Sequence, residues 1–138
     1  MANALLPPPR CRRRELGDLA LVAAGAIPGA LLRRWLPDLL LANLLGCLLL
    51  GLLVGAAGAR PRLLLWGGIG FCGSLTSFSS WILALTALPV ASPAVVGAVL
   101  VPLVGGMAAF FAGRALGRLL ARIVRRGGRR DSGPRFRR

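Results

Sequence analysis

Few side chains within the apolar runs of this sequence could do chemistry, and most of them sit together. The segment Gly70-Phe71-Cys72-Gly73-Ser74-Leu75-Thr76-Ser77-Phe78-Ser79-Ser80-Trp81 carries five hydroxyls, at Ser74, Thr76, Ser77, Ser79 and Ser80. Its two aromatics Phe78 and Trp81 are spaced i, i+3, so a helix would set them on one face. Asn43 supplies the single amide side chain in any apolar run. Hydroxyls and an amide donate hydrogen bonds, and the rim of an aromatic ring is electropositive. Such a wall suits a small anion. Gly67, Gly68, Gly70 and Gly73 come just before the hydroxyls. Glycine and hydroxyl residues at membrane depth predict an interrupted helix, whose freed groups must find partners inside protein. Freed carbonyls in such a break suit a small cation.

Other chemistry is excluded. There is no His and no Lys, which removes the usual catalytic triads, zinc sites and Ser–Lys dyads. The acidic residues are Glu15, Asp18, Asp38 and Asp131. Glu15 and Asp18 lie beside Arg12-Arg13-Arg14 at a membrane boundary, where they suit the positive end of a helix. The chain is not expected to be an enzyme. Cys11, Cys47 and Cys72 show no CxxC spacing. Cys47 and Cys72 read as small packed hydrophobes, and neither a disulfide nor a metal cluster is expected.

The elements that must position the polar segment follow from hydropathy. The 138 residues are 56% hydrophobic and have a mean hydropathy of +0.71. A soluble domain of that size could not hide so much apolar surface, whereas a bilayer dissolves it. The sequence predicts an all-α integral membrane protein with a four-helix transmembrane domain over residues 16–124. Its four spans fall at about 16–35, 39–59, 63–88 and 94–113, with the break in the third. Residues 1–15 read as a basic tail that Pro7-Pro8-Pro9 keeps from being helical. Residues 125–138 read as a disordered, Arg-rich tail. The first span holds Pro28 and the GxxxG pair Gly25 and Gly29, and the second repeats that spacing at Gly51 and Gly55, allowing close helix contact. The fourth holds Pro102 and Gly105-Gly106. Arg114, Arg118 and Arg122 follow at i, i+4 spacing, as on a helix leaving along the interface with snorkelling arginines.

All 18 basic residues are Arg, and the net charge is +14. Nearly all lie outside the apolar runs. With four spans, the termini and middle loop share one side, which holds every Arg except Arg33 and Arg34. The positive-inside rule places both termini in the cytoplasm of a multi-pass protein of the cell membrane. The Arg125–Arg130 run reads as a solvated positive-inside tail rather than a nucleic-acid site.

The polar segment resembles the signature G-F-C-G-G-L-T-T-F-S-T-F of the Fluc, or CrcB, fluoride channels. Gly25, Gly29 and Arg33 are similar to that family's first-span pattern, and Asn43-Leu44-Leu45-Gly46 to its Asn-x-x-Gly run. The resemblance implies two four-helix subunits packed antiparallel, as in a dual-topology dimer, passing fluoride out of the cell and lowering its toxicity. It implies that Asn43 donates to fluoride and that Phe78 and Trp81 turn ring edges to the ion. Ser79 and Ser80 would continue the polar lining. Backbone carbonyls of Gly73 and Thr76 would hold a structural sodium ion at the dimer centre, and Arg33, Gly29 and Gly46 would be structural.

This chain departs from the family pattern at several points. Ser74 stands in place of a glycine, Ser77 and Ser80 in place of threonines, and Trp81 in place of phenylalanine. Trp81 adds an N–H donor. Gly106 and Phe110 supply no hydroxyl where the family's fourth span has one. A protein inserting in both orientations needs a weak arginine bias, and this bias is strong. The expected partner is therefore a separate, oppositely oriented paralogue rather than a second copy. Two other readings are a subunit of a small multidrug-type transporter and a non-conducting assembly partner. The first needs a carboxylate at membrane depth, and Glu15 sits too near the interface.

Overall fold

The computed structural model describes residues 9–57, 60–89 and 93–130, and every element in it is helical. Four stretches are long and apolar enough to cross a bilayer: Arg14–Trp35, Leu39–Ala56, Pro61–Thr86 and Ala94–Val124. Ala42, Cys72 and Leu75 are the hydrophobic side chains buried among the described residues, while Leu, Ile, Val and Phe stand exposed along every span. An interior this small cannot hold a water-soluble fold together. Lipid must solvate the outer faces.

The first helix, α1, spans Pro9–Trp35. It starts inside the segment expected to be a non-helical tail. Proline's fixed φ and missing N–H suit a first helical turn, so Pro9 starts the helix instead of preventing it. Helix α2 is Leu39–Ala57, and Asp38 Oδ1 accepts from Leu40 N–H at 2.9 Å at its start. The third span is composite. A short α3 (Pro61–Leu63) leads into a π-helical stretch, Leu64–Cys72, and then α4 (Gly73–Leu75). Thr76 and Ser77 are extended, with φ, ψ of −87°, 148° and −145°, 117°. Helix α5 resumes at Phe78–Thr86.

The last helix, α6, runs unbroken from Ala94 to Arg130. It continues past residue 113 without interruption, and residues 125–130, expected to be disordered, are helical. Beyond Pro102 the run to Arg126 contains mostly Ala, Leu and Arg, which are strong helix formers. At 1.5 Å per residue the 37-residue helix is about 55 Å long, far beyond a hydrocarbon core of about 30 Å. Residues 1–8 and 131–138, the remainder of the expected tails, lie outside the described residues, as do 58–59 at the expected end of the second span.

The layers run α1, third span, α2, α6, with α5 against α6. Glycines hold neighbouring layers at backbone distance. A Cβ at Gly25 or Gly29 would overlap the carbonyl oxygens of Trp66 or Phe71, and one at Gly70 would meet Val22 O. Between α2 and α6 the same happens reciprocally. Gly51 and Gly55 face the Phe110 and Arg114 carbonyls, and Gly113 and Gly117 face those of Leu48 and Leu52. Partner numbers rise together along both helices, so α2 and α6 run parallel. This is small-residue packing without a hydrophobic drive, through dispersion and Cα–H···O contact. Gly117 also lies against Ala56. The stretch from Arg118 to Arg130 therefore extends about 20 Å past the end of α2.

Gly51→Leu or Gly113→Leu puts a branched side chain where a backbone carbonyl sits. Each should lower stability by about 3 kcal/mol or more, read as a shifted midpoint in detergent-denaturant titration. Gly97→Leu, at a position with open space around it, should leave the midpoint nearly unchanged.

Candidate functional site

The break at Thr76-Ser77 sets up the site. A break at membrane depth strips backbone groups of their helical partners, and lipid offers no replacement. Here side chains from two other spans supply them. Ser77 N–H donates to Asn43 Oδ1 on α2 at 2.9 Å. Ser77 Oγ turns back and accepts from Ser80 N–H at 3.2 Å, capping α5. At the end of α1, Arg33 Nη2 donates to Ser80 Oγ at 2.8 Å, and Nη1 reaches Leu75 O at 3.5 Å. Ser77 Oγ also lies 3.0 Å from Ser80 Oγ and 3.2 Å from Ser79 Oγ.

The Asn43 contact orients the amide. A backbone N–H can only donate, so the carboxamide oxygen must face Ser77. The Nδ2 donors are then directed elsewhere. Asn43 lies on the wall of a groove of about 760 Å³ between the third span and α6, floored by α2. Gly73, Thr76, Ser77, Phe78 and Trp81 share that wall, and Gly106, Met107 and Phe110 close it from α6. No acidic or basic residue lines it. Phe78 is 71% exposed, and its ring meets Trp81 edge to face, with centroids 5.3 Å apart at 64°.

The same diversions release carbonyls. In a continuous helix Ser77 N–H would serve Gly73 O, and Ser80 N–H would serve Thr76 O. Both amides are spent on side chains. Gly73 O retains a long contact of 3.4 Å from Thr76 Oγ1, which bonds better to Cys72 O at 3.0 Å.

The structure gathers Asn43, Gly73, Thr76, Phe78 and Trp81 on one groove. Ser79 and Ser80 are not on its wall: Ser80 turns to Arg33 and Ser77, and Ser79 is exposed beside Ser77. Gly46 and Gly29 are buried close-approach points, against the Thr76 methyl and the Ser74 hydroxyl respectively. Two residues that the sequence shows only as members of the hydroxyl cluster prove to be hubs. Ser77 is the cap on which the break turns, and its place directly before Phe78 was the available signal. Ser74 Oγ lies 2.9 Å from Ala26 O, 2.8 Å from Gly70 O and 3.1 Å from Phe71 O, bonding α1 to the third span.

Fold and groove together define a small four-span membrane protein with an uncharged, hydrogen-bonding wall at an interrupted span. The family described as CrcB-like protein, Camphor Resistance (CrcB), matches residues 20–114, and the chain belongs to this family. It is 50% identical over 115 residues to fluoride-specific ion channel FluC 2 of Parasynechococcus marenigrum, covering 78% of this chain and 86% of that protein. It is 35% identical over 119 residues to fluoride-specific ion channel FluC of Ruegeria pomeroyi, covering 77% of this chain and 94% of that one. A shorter match, 46% over 71 residues, is to fluoride-specific ion channel FluC 1 of a Prochlorococcus marinus strain, and it spans 51% of this chain and 56% of that protein. No solved structure matches at comparable stringency.

Replacing Asn43 by Leu removes the acceptor for Ser77 N–H and leaves that donor bare at membrane depth. The expected cost is about 1–3 kcal/mol of stability, measured by the same detergent-denaturant titration.

Proposed function

We propose that this chain is a subunit of a fluoride channel that lets fluoride leave the cytoplasm passively, with both termini on the cytoplasmic side. The observation that carries this reading is the orientation of Asn43: its oxygen is taken by Ser77 N–H, so its N–H donors are left to the groove.

A bare anion in an apolar medium costs tens of kcal/mol. A hydrogen bond to a charged group returns about 1.5–3 kcal/mol, so several weak donors must act in series. Asn43 Nδ2 supplies one, and the rims of Phe78 and Trp81 add electropositive C–H edges. Because no fixed charge lines the groove, no single site holds the ion too tightly for it to leave. Ser79 and Ser80, away from the groove wall, would act nearer a mouth.

The groove is half of a pathway. An oppositely oriented partner would close it with a second wall, in the antiparallel manner the family resemblance implies. The strong arginine asymmetry favours a paralogue as that partner, and relatives named FluC 1 and FluC 2 are in keeping with paired paralogues. A sodium ion would be held at that contact by the Gly73 and Thr76 carbonyls. Oxygen-only donors released by diverted amides fit a hard monovalent cation. The ion would supply a fixed positive charge joining two breaks.

The test is fluoride efflux from liposomes, followed with a fluoride electrode, for this chain alone and with a candidate paralogue. Efflux is expected with the paralogue, with little chloride movement, and an absence of fluoride movement in both cases overturns the reading. Asn43→Asp keeps an oxygen for Ser77 N–H but replaces the donors with negative charge. It should preserve assembly and cut efflux at least tenfold. Unchanged efflux would remove Asn43 from the path. Replacing sodium by a large organic cation during purification should weaken subunit association, read by size-exclusion chromatography.

A further inference from the structure

Helix α5 is loosely attached. Its Phe78 and Leu83 are each 71% exposed, and it packs little against α6. Beyond its N-terminal cap and the Arg33–Ser80 bond, a polar link joins it directly to α6: Trp81 Nε1 donates to Ala98 O at 2.9 Å. That carbonyl is available for a reason written elsewhere in the chain. In an uninterrupted α-helix, Ala98 O would accept from the N–H of residue 102. Residue 102 is proline, inside α6, and has no N–H to give. Pro102 thus opens a gap in the α6 ladder, within a span where water cannot fill it. The Trp81 indole fills it from the neighbouring helix.

Resting on the channel reading above, we propose that Trp81 is a positioning residue: its indole N–H, docked on the carbonyl that Pro102 frees, fixes α5 to α6 and holds the Phe78 ring at the groove. The edge-to-face contact at 5.3 Å transmits the position from Trp81 to Phe78. One consequence separates this role from a simple pore lining. The indole N–H is spent within the subunit and is not offered to the anion. The extra donor that tryptophan brings therefore works on the helix pair, and the ion meets ring edges only.

A double-variant cycle in the conducting assembly tests this. Trp81→Phe keeps an aromatic ring but removes the tether and strands Ala98 O. Pro102→Ala restores an N–H to α6 and satisfies that carbonyl without tethering α5. Trp81→Phe is expected to lower fluoride efflux roughly fivefold, about the worth of one ordinary hydrogen bond, and to lower the unfolding midpoint. The double variant should recover the midpoint but not the efflux. A 19F label on Phe78 should broaden or shift in both variants carrying Phe at position 81. In a Trp35→Phe, Trp66→Phe background that keeps Trp81, the indole resonance Raman band should report a hydrogen-bonded N–H.

Three results would overturn the proposal: wild-type efflux in Trp81→Phe, recovery of efflux together with stability in the double variant, or a free indole N–H in the Raman spectrum. The Raman and 19F readings do not depend on which ion is carried. They stand even if the wild-type assembly moves no fluoride, so failure of the channel reading is distinguishable from failure of the tether.

Discussion

Everything in this molecule depends on how one interruption of a membrane helix is satisfied. An extended pair of residues in a span leaves amides and carbonyls without helical partners, and hydrocarbon cannot supply them. At Thr76-Ser77 the amides are served by Asn43 from α2 and by Ser77 itself, while Arg33 from α1 anchors Leu75 O and Ser80 Oγ. Three spans thus converge on one turn of chain. The arrangement is directional. Because the protein's own N–H groups take the Asn43 and Ser77 oxygens, what remains facing the groove from Asn43 is a donor. Because side chains take the amides, what remains at Gly73 and Thr76 is carbonyl. One local constraint separates side-chain N–H donors from bare backbone carbonyls within a few residues.

Much of this was legible in the residues. Four apolar runs predict four spans, and the density of Gly, Ser and Thr between Gly67 and Ser80 marks the third as unusual. The glycine pairs Gly25/Gly29 and Gly51/Gly55 predict close helix contact, and each meets a backbone carbonyl. The ends were harder. Pro9 follows two other prolines and reads as a helix breaker, yet a proline at a helix start is favourable. Residues 114–130 read as two segments because charge rises sharply there, although backbone propensity does not change with charge.

Pairings between distant residues were the least legible part. The π-helical stretch at Leu64–Cys72 has no distinctive residue period, since glycine tolerates either winding. Ser80 counts as a pore hydroxyl by its place in the motif, but Arg33 claims it in space. Trp81 reads as an added donor to the pathway. Only with α6 alongside does Pro102 become visible as the cause of a bare carbonyl at Ala98, and the indole as its partner. A donor's destination depends on which acceptors the fold leaves unsatisfied, and single-residue patterns do not encode that.

The glycine seam between α2 and α6 has a mechanical consequence. Where two backbones touch through Gly51, Gly55, Gly113 and Gly117, no side-chain layer lies between them to rearrange. The two helices then behave as one stiff plate, and the floor and far wall of the groove keep a constant width. Shape change is left to the short helix beyond the break, which is joined through two extended residues and held by a few polar pins. In such a body, a single pin can govern the width of the passage while the plate stays unmoved.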